Sequence, residues 1–175
     1  KLSPTNAEHA DYSFNGLVPV LDGGDSIYGL ESTILDCTAK VRILRHGFIT
    51  EDLLSDILGY KLEYNTESSK APGGSVKHYS PTTLLRINAE FATDCDFAIN
   101  FGSSNLQSRY SLNLSPRGNL LEAASNLFNM LNQADIIAQR EKLESIAVAK
   151  IPNVKVGIAI NDKLKRGSSN SNRSI

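Results

Sequence analysis

Apolar and polar positions alternate along this chain with two different periods, and the change of period divides it. Ser3-Pro4-Thr5 reads as a helix cap followed by proline at the first helical position, where its missing N–H costs nothing, and predicts a short helix over 7–12. Leu17-Val18-Pro19-Val20-Leu21 predicts a strand running into the turn Asp22-Gly23-Gly24-Asp25. Glu31-Ser32-Thr33-Ile34-Leu35-Asp36 and Val41-Arg42-Ile43-Leu44-Arg45 predict two antiparallel strands, because the connection between them has hairpin length. Gly47 ends the second, and Thr50-Glu51-Asp52 caps a helix whose Leu53, Leu54, Ile57 and Leu58 share one face.

Periodicity then lapses. The polar run 65–70 and Ala71-Pro72-Gly73-Gly74-Ser75 have linker composition. Beyond Pro81 the pattern resumes with strands at 83–87 and 97–101. Leu120, Ala123, Ala124, Leu127, Phe128 and Leu131 fall at intervals of three and four, which predicts an amphipathic helix over 119–131. A strand at 145–149 and a helix over 157–165 follow, and the Ser/Asn-rich tail from Gly167 has the composition of a frayed end. Strand, strand, helix, strand, helix implies a small, largely parallel Rossmann-like sheet behind a separate mixed α/β segment.

Composition narrows the function. The 175 residues are 41% hydrophobic and 21% charged, ordinary for a globular chain, and the formal net charge of -1 supplies no global field for a phosphate backbone. Cys37 and Cys95 lack metal-type spacing and read as reduced thiols. No run approaches the roughly 18 apolar residues of a membrane span and no secretory core is present, so the expectation is a cytoplasmic protein without a membrane partner. The chain opens on a helix signal at Lys1, with its single methionine at Met130, which reads as a cut N-terminus.

Three segments, in order and spacing, resemble the Sua5 branch of the YrdC family: Leu2-Ser3-Pro4-Thr5-Asn6-Ala7-Glu8-His9; Leu21-Asp22-Gly23-Gly24 through Glu31-Ser32-Thr33-Ile34 to Arg45-His46-Gly47; and Ala71-Pro72-Gly73-Gly74 with Lys77-His78-Tyr79-Ser80-Pro81. The match continues through Ile151-Pro152-Asn153 to Asp162-Lys163-Leu164. The family usually has Arg-Pro-Gly where this chain has Arg45-His46-Gly47, and often Gly-Met-x-Tyr at Gly74-Ser75-Val76.

The resemblance implies an α/β protein, a partial YrdC-like twisted mixed sheet followed by a small Rossmann-like Sua5 domain. Its divisions would be a truncated catalytic portion 1–66, a linker or lid 67–83, the Sua5 domain 84–167 and a tail 168–175. It implies synthesis of L-threonylcarbamoyl-AMP from L-threonine, bicarbonate and ATP, with Mg²⁺ accompanying the nucleotide and tRNA served only indirectly. Ser3, Thr5, Arg45, His78 and Tyr79 would bind ATP, and Ser32 and Thr33 would bind threonine. The family's Lys-x-Arg and Ser-x-Asn groups should precede Lys1, so the catalytic residues are expected upstream, the chain alone is expected to be inactive, and a separate N-terminal fragment is a candidate partner.

Each residue also has a plainer reading. Arg45 offers phosphate a planar fork of donors, or pairs with a surface carboxylate. Ser32 and Thr33 donate hydroxyls to substrate, or are strand residues. Ser3 and Thr5 cap a helix whose N-terminus is itself an anion site. His78 and Tyr79 close over the nucleotide, or pin the linker to the sheet. His9 and His46 read as surface histidines, Gly23-Gly24 and Gly73-Gly74 as turn and hinge, and Lys163, Lys165 and Arg166 as a small basic cluster for tRNA or a partner. Two other classes stand beside the enzyme: a regulatory or interaction module built on the Sua5 domain, and an RNA-binding protein of YrdC type.

Overall fold

The structure is a computed structural model that describes residues 2–64 and 80–168. Helix α1 spans Ala7–Phe14. Its cap is Asn6, whose side chain accepts from the His9 N–H at 2.9 Å, and not Ser3, because the chain stays extended through Pro4 and Thr5 before turning. Asn15 closes the helix in the left-handed region, a conformation that asparagine tolerates. The strand predicted at 17–21 is absent. No described strand lies alongside to share its backbone groups, and Leu21 is 97% exposed.

Strands β1 (Ile34–Asp36) and β2 (Arg42–Arg45) form the antiparallel pair that the sequence predicts, with Leu35 opposite Ile43 and Asp36 opposite Arg42. Asp36 fixes the turn by accepting from the Thr38 N–H and hydroxyl and from Arg42 at 2.7 Å. Helix α2 (Glu51–Leu58) starts on a Thr50 cap and stops at left-handed Gly59. A two-residue strand β3 (Glu63–Tyr64) adds to β2 in parallel, too short to leave any period in the sequence.

The second sheet contains β4 (Leu84–Ala89), β5 (Asp96–Asn100), β6 (Tyr110–Asn113) and β7 (Ser145–Ala149). Its order is β4-β7-β5-β6 and every neighbouring pair is parallel, the Rossmann-like arrangement expected. Helix α3 runs Leu120–Glu141 from an Asn119 cap, ten residues past its predicted end at Leu131, because Ala134 and Ala138 continue the buried stripe. Helix α4 is Val156–Ser168. Both helices pack on the sheet and on each other. Phe97, Ile99, Leu127, Phe128, Leu131, Ile146, Val148, Ile160 and Leu164 form the core, and the central strands β5 and β7 are buried along their whole length, as parallel strands covered by crossovers must be. At one end, Asp96 accepts from Arg86 at 2.9 Å, from the Ser145 hydroxyl and from the Thr93 N–H, tying three strands through one carboxylate. Cys37 and Cys95 are both free and exposed. Among the described residues, no helix is long and apolar enough to cross a membrane.

Candidate functional site

The two sheets meet through residues 29–31, through Leu2 and Ser3, and through the turn that leaves β2. Gly29 lies flat on α3: a Cβ there would sit 2.0 Å from the Ser125 carbonyl oxygen, so only glycine allows the approach. Leu2 and Leu30 bury into the core of the second sheet, and the Asn132 amide of α3 donates to the Ser3 carbonyl at 3.2 Å. Gly47 packs with equal tightness against the same stretch, since its Cβ would fall 2.4 Å from both the Glu31 carbonyl oxygen and the Thr33 nitrogen. Two chain segments therefore touch backbone to backbone. The side chains on either side of that contact are forced together.

Ser32 and Arg45, both picked out in the sequence, meet there. Arg45 donates from Nε at 3.1 Å and from a terminal nitrogen at 3.0 Å to the Ser32 carbonyl, and the same nitrogen lies 3.1 Å from Ser32 Oγ. Ser32 is exposed and Arg45 half-buried, so the pair opens to solvent on one side. The Thr33 hydroxyl donates to the Ile49 carbonyl at 2.6 Å and so holds the turn after β2. Ser3 is not a cap: its hydroxyl donates to Glu31 Oε1 at 2.5 Å, which places it one residue from Ser32. Thr5 is occupied elsewhere, with Oγ1 3.0 Å from His9 Nδ1 and its carbonyl accepting from the Ser26 N–H. Of these, Ser32 and Arg45 meet side chain to side chain, whereas Ser3 meets Glu31, Thr33 the Ile49 carbonyl, and Thr5 is turned toward α1. His78, Tyr79 and the Ala71-Pro72-Gly73-Gly74 stretch lie outside the described residues.

Three readings of charged or polar residues need correction. His9 is buried, and burial lowers its pKa from the ordinary 6.5. His46 is half-buried, with its ring stacked on Tyr64 at 4.5 Å between centroids; its pKa is lowered as well, burial outweighing the neighbouring Asp162 and Glu51 carboxylates. Neither is a free surface histidine. Lys163 does not belong to an exposed basic cluster: it is 1% exposed and donates to the His46 carbonyl at 3.1 Å, beside Asp162 at 3.5 Å and Glu31 Oε2 at 3.9 Å. Sequence reasoning missed Lys163 and Glu31 as parts of this joint. A signal existed, because Lys163 shares the helical stripe of Val156, Ala159, Ile160 and Leu164 and so had to point inward.

Chemically, the joint sets a guanidinium beside a serine hydroxyl, donor types that suit a carboxylate or phosphate. Among the described residues, no group of three or more His, Cys, Asp or Glu side chains is placed to hold a metal ion.

Comparison with known proteins then bears on what such a joint serves. The family described as threonylcarbamoyl-AMP synthase, C-terminal domain, matches residues 49–169. The threonylcarbamoyl-AMP synthase of Bacillus subtilis (strain 168) is 26% identical over 190 aligned positions, covering 96% of this chain and 54% of the relative. That of Pyrococcus abyssi (strain GE5 / Orsay) is 25% identical, with the same two coverages of 96% and 54%. In three dimensions the chain is similar to P. abyssi Sua5 complexed with L-threonine, at a TM-score of 0.77 and 23% identity over 96% of this chain and 54% of that one. A P. abyssi Sua5 variant with a histidine and a tyrosine replaced by alanine gives a TM-score of 0.76 and 21% identity over the same shares, 96% and 54%. The chain therefore spans about half the length of the curated relatives it matches.

Proposed function

We propose a function from one premise: the chain belongs to the family of threonylcarbamoyl-AMP synthase C-terminal domains, which covers residues 49–169. On this reading it takes part in forming L-threonylcarbamoyl-AMP from L-threonine, bicarbonate and ATP, with release of pyrophosphate, for threonylcarbamoyladenosine in tRNA. The carbamate made on the threonine amine attacks the α-phosphorus of ATP, and pyrophosphate leaves. Such a step asks the protein for positioned cations and donors around the developing charge rather than for covalent help.

The Arg45–Ser32 pair carries this reading. Its donors lie within 3.1 Å of one another on an open face, inside the segment that resembles the family. In use, the Arg45 fork turns from the Ser32 carbonyl to a nucleotide phosphate, and the hydroxyls of Ser32 and Thr33 receive the threonine. Ser3, beside Glu31, borders the same place, and His78 and Tyr79 are assigned to the nucleotide by the family resemblance alone. Mg²⁺ enters on the ATP phosphates, with no protein ligand assigned. That P. abyssi Sua5 forms a complex with L-threonine is consistent with threonine as substrate here.

Because the relatives are about twice as long, the reading gives this chain one wall of the site and leaves the phosphate-gripping Lys-x-Arg and Ser-x-Asn groups to the other half. Mixing the chain with a polypeptide corresponding to the unmatched half of the B. subtilis relative should yield pyrophosphate only when ATP, L-threonine and bicarbonate are all present. Arg45→Ala should cut that rate by about a hundredfold or more, the usual loss for one positioned donor. A rate indifferent to Arg45→Ala would overturn the assignment.

A further inference from the structure

We propose that Lys163 is a positioning residue for the Arg45–Ser32 site, through which α4 of the second sheet sets the geometry of a site that the first sheet carries. The inference rests on the function proposed above. The ammonium is 117 residues away in sequence from the carbonyl it holds, that of His46, the residue directly after Arg45. On its other side it faces Glu31, the residue directly before Ser32. One buried cation therefore touches the chain immediately next to each member of the pair, and does so from the side away from solvent.

The surroundings argue that this contact is more than packing. Glu31 gives one oxygen to the Ser3 hydroxyl, while its second, Oε2, is buried, accepts no hydrogen bond and looks toward the ammonium at 3.9 Å. A buried carboxylate oxygen in that condition is tolerable only beside a compensating charge, and the Glu31–Ser32 backbone is then held by electrostatics as well as by the Gly47 contact. Burial lowers the Lys163 pKa, and the Glu31 and Asp162 carboxylates beside the ammonium oppose that shift. Asp162 is itself anchored by Arg166 at 2.9 Å, which fixes the cluster on α4. Losing the ammonium would release the His46 carbonyl, leave Glu31 uncompensated, and let Ser32 and Arg45 move independently.

The side-chain Nε–H resonances of the ¹⁵N-labelled full chain provide the test, with Arg86, tied to Asp96 and Ser145, as an internal reporter of the second sheet. Lys163→Met should shift or broaden the Arg45 signal while leaving Arg86 in place, and should weaken L-threonine binding about tenfold or more, in proportion to one lost charge-assisted contact. Lys163→Arg, which supplies a longer donor to Glu31 Oε2, should restore both readouts, and the exposed Lys165→Met should alter neither. An Arg45 signal and a threonine affinity that Lys163→Met leaves unchanged would overturn the proposal. If Lys163→Met perturbs Arg45 but the chain and its complementing half bind no L-threonine, positioning stands and the functional reading falls; threonine binding that is untouched by Lys163→Met means the reverse. Should Lys163→Met lose the Arg86 signal through unfolding, the Glu31→Gln/Lys163→Met pair, which removes the stranded charge, carries the same comparison.

Discussion

The two sheets dispose of their apolar side chains in opposite ways. In the four-stranded sheet, β5 and β7 are buried throughout, and α3 and α4 lay a continuous apolar stripe across them. Around the three-stranded sheet, the equally apolar 17–21 stretch and the face of α2 point outward, and Ile57 is 71% exposed. Burial of apolar surface is the main stabilising term in folding. The second sheet therefore holds the stability of this chain, while the first carries the candidate site and takes its shape from the contacts at Gly29, Leu2, Leu30 and Lys163.

The sharpest way to break that comparison is to cut the core of the second sheet. Phe128→Ala, at a position 1% exposed, should cost about 3–5 kcal/mol in chemical denaturation. Ile57→Ala, the matching cut in α2, should change stability by less than about 0.5 kcal/mol. Equal losses at the two positions would erase the distinction.

Next in size is the joint itself. Gly29→Ala forces a methyl into the Ser125 carbonyl and should destabilise by about 1–3 kcal/mol, with 29–48 gaining hydrogen exchange before 145–149 does. Simultaneous gain in both segments would mean that the sheets form one cooperative unit.

A smaller effect separates the two regions by pH. Burial alone would raise the Asp96 pKa, but hydrogen bonds from Ser145, Thr93 and Arg86 outweigh it and hold the carboxyl below its ordinary 3.8. The stabilisation from Asp96 is thus complete above 3.8 and is lost as pH falls through the lower folded value. Asp96→Asn should remove that acid dependence from the second sheet, read from unfolding midpoints across pH. His46 acts on the first sheet in a higher window. Its folded pKa is depressed by burial, so its contribution is full above 6.5 and is lost as pH drops below that toward the folded value. Protection of 42–48 should weaken across this range, and His46→Asn should flatten the change.

Legibility in the sequence follows the same division. Strands β5 and β7 and helix α3 are readable because burial on a regular element leaves a period: Phe97 and Ile99, Ile146 and Val148, and the 120–131 stripe. Strand β6 escapes because Tyr110-Ser111-Leu112-Asn113 is short and polar at an edge, and β3 because two residues have no period. The 17–21 stretch misleads in the other direction: apolar content predicts a strand, but a strand needs a neighbour to take its backbone groups. Ser3 has the local pattern of a cap, although Asn6 does the capping and Ser3 reaches Glu31 across 28 residues. Of the site, Ser32, Thr33 and Arg45 can be named from the resemblance. For Lys163 the stripe on α4 shows that the side chain turns inward, but not that it meets Glu31 and His46, contacts that local spacing does not encode.

Hydrogen–deuterium exchange of the chain mixed with a polypeptide corresponding to the unmatched half of the B. subtilis relative, with and without L-threonine and ATP, tests the account most directly. Ligand should protect 29–34 and 42–48 together and leave 145–149 as it was. Protection that bypasses both of those segments would contradict the assignment of the substrate site to the Ser32–Arg45 joint.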